Sequence, residues 1–82
     1  MTVSHEDTVE HKLDVCGLAC PLPVLKAKRA IKTLSSGSLL TVIATDPDSV
    51  KDFEKFCELT GHQLESMSAS KGIFTFQIRT MG

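Results

Sequence analysis

The stretch that decides the fold is Asp14-Val15-Cys16-Gly17-Leu18-Ala19-Cys20-Pro21-Leu22-Pro23-Val24. A short apolar strand leads into a loop that ends at Cys20, and a helix-forming run starts at Pro21. The sulfur of Cys20 is therefore expected at the N-terminus of a helix, where unpaired N–H groups and the helix dipole favour a negative charge. We expect this thiol to be biased toward the thiolate, which is the reactive form. The alternative, a small buried hydrophobe in front of a proline-capped helix, stays open at this point.

The composition excludes several classes of function. With 82 residues and a formal net charge of −1, the chain is one small domain without the basic surface that nucleic-acid binding requires. It has no Trp or Tyr for stacking on bases, and no apolar run reaches the roughly 18 residues of a membrane span. The N-terminus is polar and acidic, so we expect no secretory signal. Three cysteines make an odd count, which favours free thiols in a reducing cytoplasm over a disulfide framework.

The spacing of the apolar residues predicts six elements in the order β-α-β-α-β-β. Residues 1–11 are polar and are interpreted as a flexible lead-in, and a short strand follows at 12–15. An amphipathic helix from Pro21 has its apolar positions at Val24, Leu25, Ala27, Ala30, Ile31 and Leu34, and it ends at residues 35–37. A strand at 38–44 precedes a second helix, which Asp48 or Ser49 can cap and which Gly61 closes. Residues 63–68 and 73–79 alternate in polarity and form a hairpin.

This order predicts an α+β fold in a single domain, residues 12–82. The strand-helix-strand units favour right-handed crossovers and parallel pairing, whereas the closing hairpin adds antiparallel strands. About four strands and two helices in so short a chain make a two-layer α/β sandwich with both helices on one face of the sheet. The other face is expected to be partly exposed, because Thr75 and Gln77 alternate with apolar neighbours.

Several other side chains are candidates for chemistry. Cys16 is either a second reactive thiol, able to form a small disulfide with Cys20, or a loop cysteine packed under the helix. Cys57 lies on the apolar stripe of the second helix and is predicted to be part of the core. The spacing of the cysteines and His62 fits no zinc pattern, so we expect no metal and no cofactor. Asp46 follows the second strand at the sheet edge that also carries Cys20, where it either faces Cys20 or caps the second helix.

The chain resembles the TusA/SirA-like family of small sulfur-carrier proteins. The resemblance rests on Gly-Leu-x-Cys-Pro-x-Pro at residues 17–23. It also includes Leu13-Asp14, Gly37, Thr45-Asp46-Pro47, Phe56-Cys57 and Gly61-His62. It covers residues 12 to about 80 and implies a mixed four-stranded sheet. It implies further that Cys20 accepts sulfane sulfur as a persulfide from a cysteine desulfurase or a rhodanese-type donor and passes it to an acceptor protein. The processes implied are tRNA thiolation, cofactor sulfuration and dissimilatory sulfur oxidation.

A sulfur relay needs fewer catalytic groups in its own chain than a self-sufficient enzyme does. The sequence shows no base with an obvious path to Cys20, so the donor and acceptor proteins are expected to supply the chemistry. Pro21 and Pro23 stiffen the turn that carries the thiol. The first helix has a basic outer face that either meets an acidic patch on a partner or is simply solvated: Lys26, Lys28, Arg29 and Lys32. Two alternatives stay open, a thiol redox switch or regulatory module built on Cys16 and Cys20, and a purely structural interaction domain.

Overall fold

The computed structural model describes residues 10–81 and contains the six elements in the predicted order. They are β1 (Glu10–Asp14), α1 (Leu22–Ile31), β2 (Leu39–Ala44), α2 (Ser49–Thr60), β3 (Gln63–Ser70) and β4 (Ile73–Arg79). Strand β1 starts earlier than predicted, because Glu10 and His11 belong to it. The other residues of the predicted lead-in, 1–9, lie outside the described part of the chain.

The strands form one mixed four-stranded sheet in the order β1-β2-β4-β3. Strands β1 and β2 are parallel, and helix α1 forms the crossover that parallel pairing requires. Strand β4 is antiparallel to both β2 and β3, so it separates the two strands that flank α2. This topology confirms the predicted α+β class and mixed sheet. Only the first strand-helix-strand unit pairs directly, since the end of the chain folds back into the middle of the sheet.

Both helices cover one face of the sheet. In β2, Leu40, Val42 and Ala44 point into the core, and the ring of Phe53 packs against Phe76 with the centroids 4.7 Å apart. The buried cluster draws on both helices, on the two central strands and on the residue directly after β1: Val15, Ala27, Ile31, Leu40, Val42, Ala44, Phe53, Phe56, Cys57, Phe76 and Ile78. Cys57 is 6% exposed, which confirms its predicted place in the core. Such burial removes apolar surface from water and is the main stabilising term of a domain this small.

Helix α1 is shorter than its apolar pattern predicts. It ends at Ile31, and the chain continues in tighter turns in which the N–H groups of Thr33 and Leu34 donate to carbonyls three residues back. Leu25, which the pattern placed among the apolar positions, is 52% exposed. The stripe that faces the core passes through Ala27 and Ile31, and Leu25 lies to one side of it. The prediction that Leu25 belongs to the apolar face is therefore wrong.

Strand β3 contains an irregularity that the simple alternation did not predict. Leu64 and Met67 are three residues apart, so strict alternation would put them on opposite faces of the sheet. The pairing shifts at Glu65, with Leu64 opposite Ile78 and Ser66 opposite Gln77. This bulge returns Met67 to the helix-covered face, opposite Phe76, although it is still 40% exposed at the sheet edge.

Candidate functional site

Two loops meet at the carboxyl end of the parallel strands β1 and β2. The N–H of Gly17 donates to Oγ1 of Thr45 at 2.8 Å, and the N–H of Cys20 donates to Oδ2 of Asp46 at 2.6 Å. The other carboxylate oxygen of Asp46, Oδ1, accepts the N–H of Asp48 at 3.1 Å. Asp46 thus faces Cys20 and at the same time shapes the turn before α2. The parallel pairing explains this meeting, because it brings both loops to one sheet edge.

The start of α2 differs from the prediction that Asp48 or Ser49 caps it. Asp48 occupies the position before the first helical residue, but its side chain makes no capping hydrogen bond. The hydroxyl of Ser49 instead donates to the backbone carbonyl of Asp46 at 2.6 Å. The capping prediction is wrong, because neither side chain accepts a hydrogen bond from an N–H group of the first helical turn.

The thiol of Cys20 is exposed at the start of α1, so it is not a buried hydrophobe. The prediction that its position favours the thiolate is wrong for the free protein. The nearby carboxyl group of Asp52 is the largest cause that raises the pKa of Cys20 to about 11, and partial desolvation and the charges of Asp46 and Asp48 act in the same direction. Three carboxylates near one thiol oppose the partial positive charge of a helix N-terminus.

Asp52 is a residue of this site that sequence reasoning missed. Its Oδ2 atom is buried and has no hydrogen-bond partner within residues 10–81. It lies in a groove of about 250 Å³ between the start of α1 and one side of α2, lined by Pro21, Val24, Asp52, Lys55, Phe56 and Leu59. The only sequence signal was spacing, since Asp52 follows Asp48 by four residues and so lies on the same side of α2.

Cys16 lies on the loop before Cys20 and is exposed, so the interpretation that it packs under the helix is wrong. Its N–H donates to Oδ1 of Asp14 at 2.9 Å, and its sulfur lies 3.8 Å from the carbonyl oxygen of Ile43. The carboxylate of Asp14 raises the pKa of Cys16 and is the largest cause of that shift. All three cysteines are free thiols. The structure thus places two exposed thiols, Cys16 and Cys20, on one loop.

The predicted basic residues are all exposed, three on the outer side of α1 and one directly after its last residue: Lys26, Lys28, Arg29 and Lys32. Lys26 and Arg29 line a shallow depression together with Leu22 and Leu25, which are 45% and 52% exposed. This surface starts two residues after Cys20. It combines cationic groups with exposed apolar area next to the thiol, a combination common at protein-binding surfaces.

The residues that the structure describes include no candidate metal site and no helix that could span a membrane. Between residues 10 and 81, no three His, Cys, Asp or Glu side chains are grouped so that they could hold a metal ion. Neither of the two helices in the described part of the chain is long and apolar enough to cross a bilayer.

His62 has a structural contact, because its Nδ1 accepts the N–H of Met81 at 3.0 Å.

Comparison with known proteins defines the class. Residues 11–80 match the family model described as sulfurtransferase TusA. The chain therefore belongs to the TusA family, as the motif at residues 17–23 predicted.

Individual relatives agree with this assignment. The chain is 49% identical over 70 residues to the sulfur carrier protein TusA of Allochromatium vinosum, covering 85% of this chain and 92% of the relative. It is 44% identical over 72 residues to the sulfur carrier protein TusA of Pseudomonas syringae pv. syringae, covering 88% and 86%. The crystal structure of a SirA-like protein from Desulfitobacterium hafniense superposes with a TM-score of 0.76 at 28% identity, covering 90% of this chain and 100% of that one.

Proposed function

We propose that this protein is a sulfur carrier that receives sulfane sulfur as a persulfide on Cys20 and hands it to an acceptor protein. The observation that carries the proposal is the exposed Cys20 thiol, fixed at the start of α1 by the 2.6 Å hydrogen bond to Asp46, in a chain of the TusA family. Pro21 and Pro23 support the same corner, since each fixes one backbone angle. An exposed and rigidly held sulfur suits delivery between proteins.

The proposed transfer is an exchange between a thiol and a persulfide. The sulfur of Cys20 attacks the terminal sulfur of a persulfide on the donor protein, and a new S–S bond forms. The bond between that sulfur and the donor's cysteine breaks, and the donor's cysteine leaves as a thiolate that takes up the proton lost by Cys20. Handing on the sulfur repeats these steps with Cys20 as the leaving group. The exchange is redox-neutral, so it requires no cofactor. A cysteine desulfurase or a rhodanese-type protein fits the donor role.

The surface formed by Leu22, Leu25, Lys26 and Arg29 is the proposed contact for these partners. Its cations fit an acidic patch, and its leucines supply apolar area that a partner can cover. Lys28 and Lys32 extend the charge along α1. Replacing Lys26 by Glu is expected to slow sulfur loading, whereas Lys71→Glu, in the β3–β4 turn, is the matched charge control.

The proposed location is the cytoplasm, because three free thiols suit a reducing compartment. The proposed acceptors belong to tRNA thiolation, cofactor sulfuration or dissimilatory sulfur oxidation. Each of these uses would draw on the same exposed persulfide.

The decisive experiment measures sulfur loading by mass. Incubation with a cysteine desulfurase and cysteine is expected to add the mass of one sulfur atom, and digestion is expected to place it on the peptide that contains Cys20. Cys20→Ser abolishes the addition, whereas Cys57→Ser, which alters a buried thiol, retains it. Loading that persists in Cys20→Ser would refute the assignment.

A second candidate function, a redox switch, is favoured by the exposure of both Cys16 and Cys20 on one loop. It predicts a reversible disulfide between them under mild oxidation. Alkylation that still finds both thiols free after this treatment would exclude it. In the carrier proposal Cys16 is an auxiliary thiol, and Cys16→Ser is expected to keep loading sulfur on Cys20.

A further inference from the structure

Strand β3 has one edge that no other strand of residues 10–81 covers. It is the last strand in the sheet order, and within those residues it pairs with β4 alone. Residues 65–70 of this strand are all exposed. An exposed edge presents backbone N–H and C=O groups that can pair with a further strand, so the edge of β3 is a surface on which another chain can bind.

The edge of β3 lacks most of the features that prevent such pairing. Folded proteins protect their edge strands with charges, prolines, bulges or covering segments. The bulge of β3 lies near its start, at Glu65, and the five residues after it carry neither charge nor proline: Ser66, Met67, Ser68, Ala69 and Ser70. The strand at the opposite edge, β1, consists of charged or titratable residues except for Leu13. Of the two edges, β3 therefore opposes strand addition least.

Two copies of β3 have complementary charges when they pair antiparallel with Ser68 opposite Ser68. In this register Glu65 of each copy lies opposite Lys71 of the other, so unlike charges meet at both ends of the paired segment. The ion pair with Arg79 uses each carboxylate oxygen of Glu65 once, at 2.9 and 3.2 Å, and each oxygen keeps a second lone pair for a lysine. Parallel pairing in register would instead place like charges side by side at both ends.

The same register also matches the two faces of the sheet. Met67 of one copy lies opposite Ala69 of the other, and both belong to the helix-covered face because they pair with Phe76 and Phe74 of β4. Met67, which is 40% exposed, thereby gains an apolar neighbour. Sliding one copy by two residues places Met67 opposite Lys71 or Ala69 opposite the bulge. One antiparallel register thus satisfies both the charges and the apolar side chains.

We propose that the edge of β3 binds a second copy of this chain, antiparallel about Ser68, so that two four-stranded sheets join into one sheet of eight strands. Pairing of so short a segment buries less than the roughly 1,000 Å² of a stable interface, so the dimer is weak and forms at high protein concentration. The loop of Cys20 follows β1, which lies at the opposite edge of the sheet, so both copies keep this thiol accessible. The inference does not depend on the proposed carrier function.

Engineered cysteines test the register of the pairing. The starting chain carries Cys16→Ser and Cys20→Ser, and its remaining thiol, Cys57, is buried. Ser68→Cys places the two Cα atoms about 4.5–5.5 Å apart, which a disulfide can span. Ser66→Cys, exposed on the same strand, places them roughly 14 Å apart and is the matched control. With a mild oxidant, Ser68→Cys is expected to form the covalent dimer at least about tenfold faster on a denaturing gel.

Charge reversal tests what selects the second copy. Lys71→Glu alone and Glu65→Lys alone place like charges at both ends, and each is expected to weaken self-association about tenfold in sedimentation equilibrium. An equimolar mixture of the two variants restores unlike charges at both ends and is expected to associate as the wild type does. Lys12→Glu, on the opposite edge strand, is the control that leaves association unchanged. Thermal unfolding checks that Glu65→Lys, which loses its pair with Arg79, remains folded.

Three results would overturn the inference. The first is equal crosslinking of Ser68→Cys and Ser66→Cys, which indicates random collisions. The second is a mixture of the two charge-reversed variants that associates no better than either alone. The third is association that responds to Lys12→Glu and ignores Lys71→Glu, which would assign the interface to β1. Sulfur loading on Cys20 is expected to be unchanged in Lys71→Glu, so a chain that loads sulfur without pairing refutes the dimer alone.

Discussion

Replacing Asp46 by Ala removes the link between the two loops that form the site. The carboxylate of Asp46 accepts the N–H of Cys20 at 2.6 Å through one oxygen and the N–H of Asp48 at 3.1 Å through the other. Ala can accept neither bond. We therefore expect a loss of stability together with local loosening around Cys20.

The size of the loss follows from the two hydrogen bonds. A hydrogen bond to a charged group contributes about 1.5–3 kcal/mol. Both amides lie near the surface, where water replaces part of what is lost, so we expect a total of about 2 kcal/mol. In a domain of this size each kcal/mol corresponds to about 4–8 °C, so the melting temperature is expected to fall by about 10 °C. Most of the protein stays folded, because domains are typically stable by about 5–15 kcal/mol.

Thermal and urea unfolding measure the loss, and hydrogen exchange at the Cys20 amide locates it. Asp48→Ala is the matched control, since the side chain of Asp48 makes no capping hydrogen bond. It is expected to cost about 0.5 kcal/mol, through loss of its interaction with the helix dipole. The reasoning is refuted if Asp46→Ala and Asp48→Ala have the same unfolding free energy, or if the Cys20 amide exchanges no faster in Asp46→Ala.

Three smaller experiments test other parts of the molecule. Phe53→Ala empties a fully buried site and is expected to lower the free energy of unfolding in urea by about 3–5 kcal/mol. Leu59→Ala, at a side chain that is 78% exposed, is the control and should lower it by about 0.5 kcal/mol at most. Similar losses in the two variants would contradict the described core. The ion pair with Arg79 lowers the pKa of Glu65, so its contribution to folding is present above the ordinary value of 4.5 and is lost as the pH falls through the lower folded value. The difference in melting temperature between wild type and Glu65→Gln should therefore close at acid pH, and a constant difference would argue against the pair. Cys57 should react with iodoacetamide only after unfolding, and rapid labelling of the native protein would show that it is not buried.

The order of the elements could be read from the sequence because the period of the apolar residues changes sharply. Alternation around Phe76 marks a strand with one covered face, and the three- and four-residue spacing around Ala27 marks a helix. The parallel pairing of β1 and β2 then placed Asp46 at the edge that carries Cys20. These features depend on local pattern and on chain topology, and both are visible in one sequence.

The features that were missed depend on how the elements pack. The approach of Asp52 to Cys20 is set by the packing of α2 beside the start of α1, which no local pattern encodes. The acid–base behaviour of the thiol was mispredicted for the same reason, because the helix dipole is a local feature and the carboxylates come from a different loop and helix. Leu25 shows the opposite error, because the apolar pattern assigned it to the buried face although it is exposed. A residue beside an apolar stripe cannot be distinguished from a member of the stripe until the surface that packs against the helix is known.

The hydrogen bond from the Cys20 N–H to Asp46 has a kinetic consequence for a carrier. With its amide bound and Pro21 following, the residue moves its sulfur chiefly by rotation about its Cα–Cβ bond. It has no long swinging arm, so it cannot remain attached to one protein while it reaches a second. Donor and acceptor must then occupy the same corner in turn, and each delivery requires complete dissociation followed by a new encounter. The flux of such a relay is set by how fast the carrier leaves its donor and by how much free carrier is present.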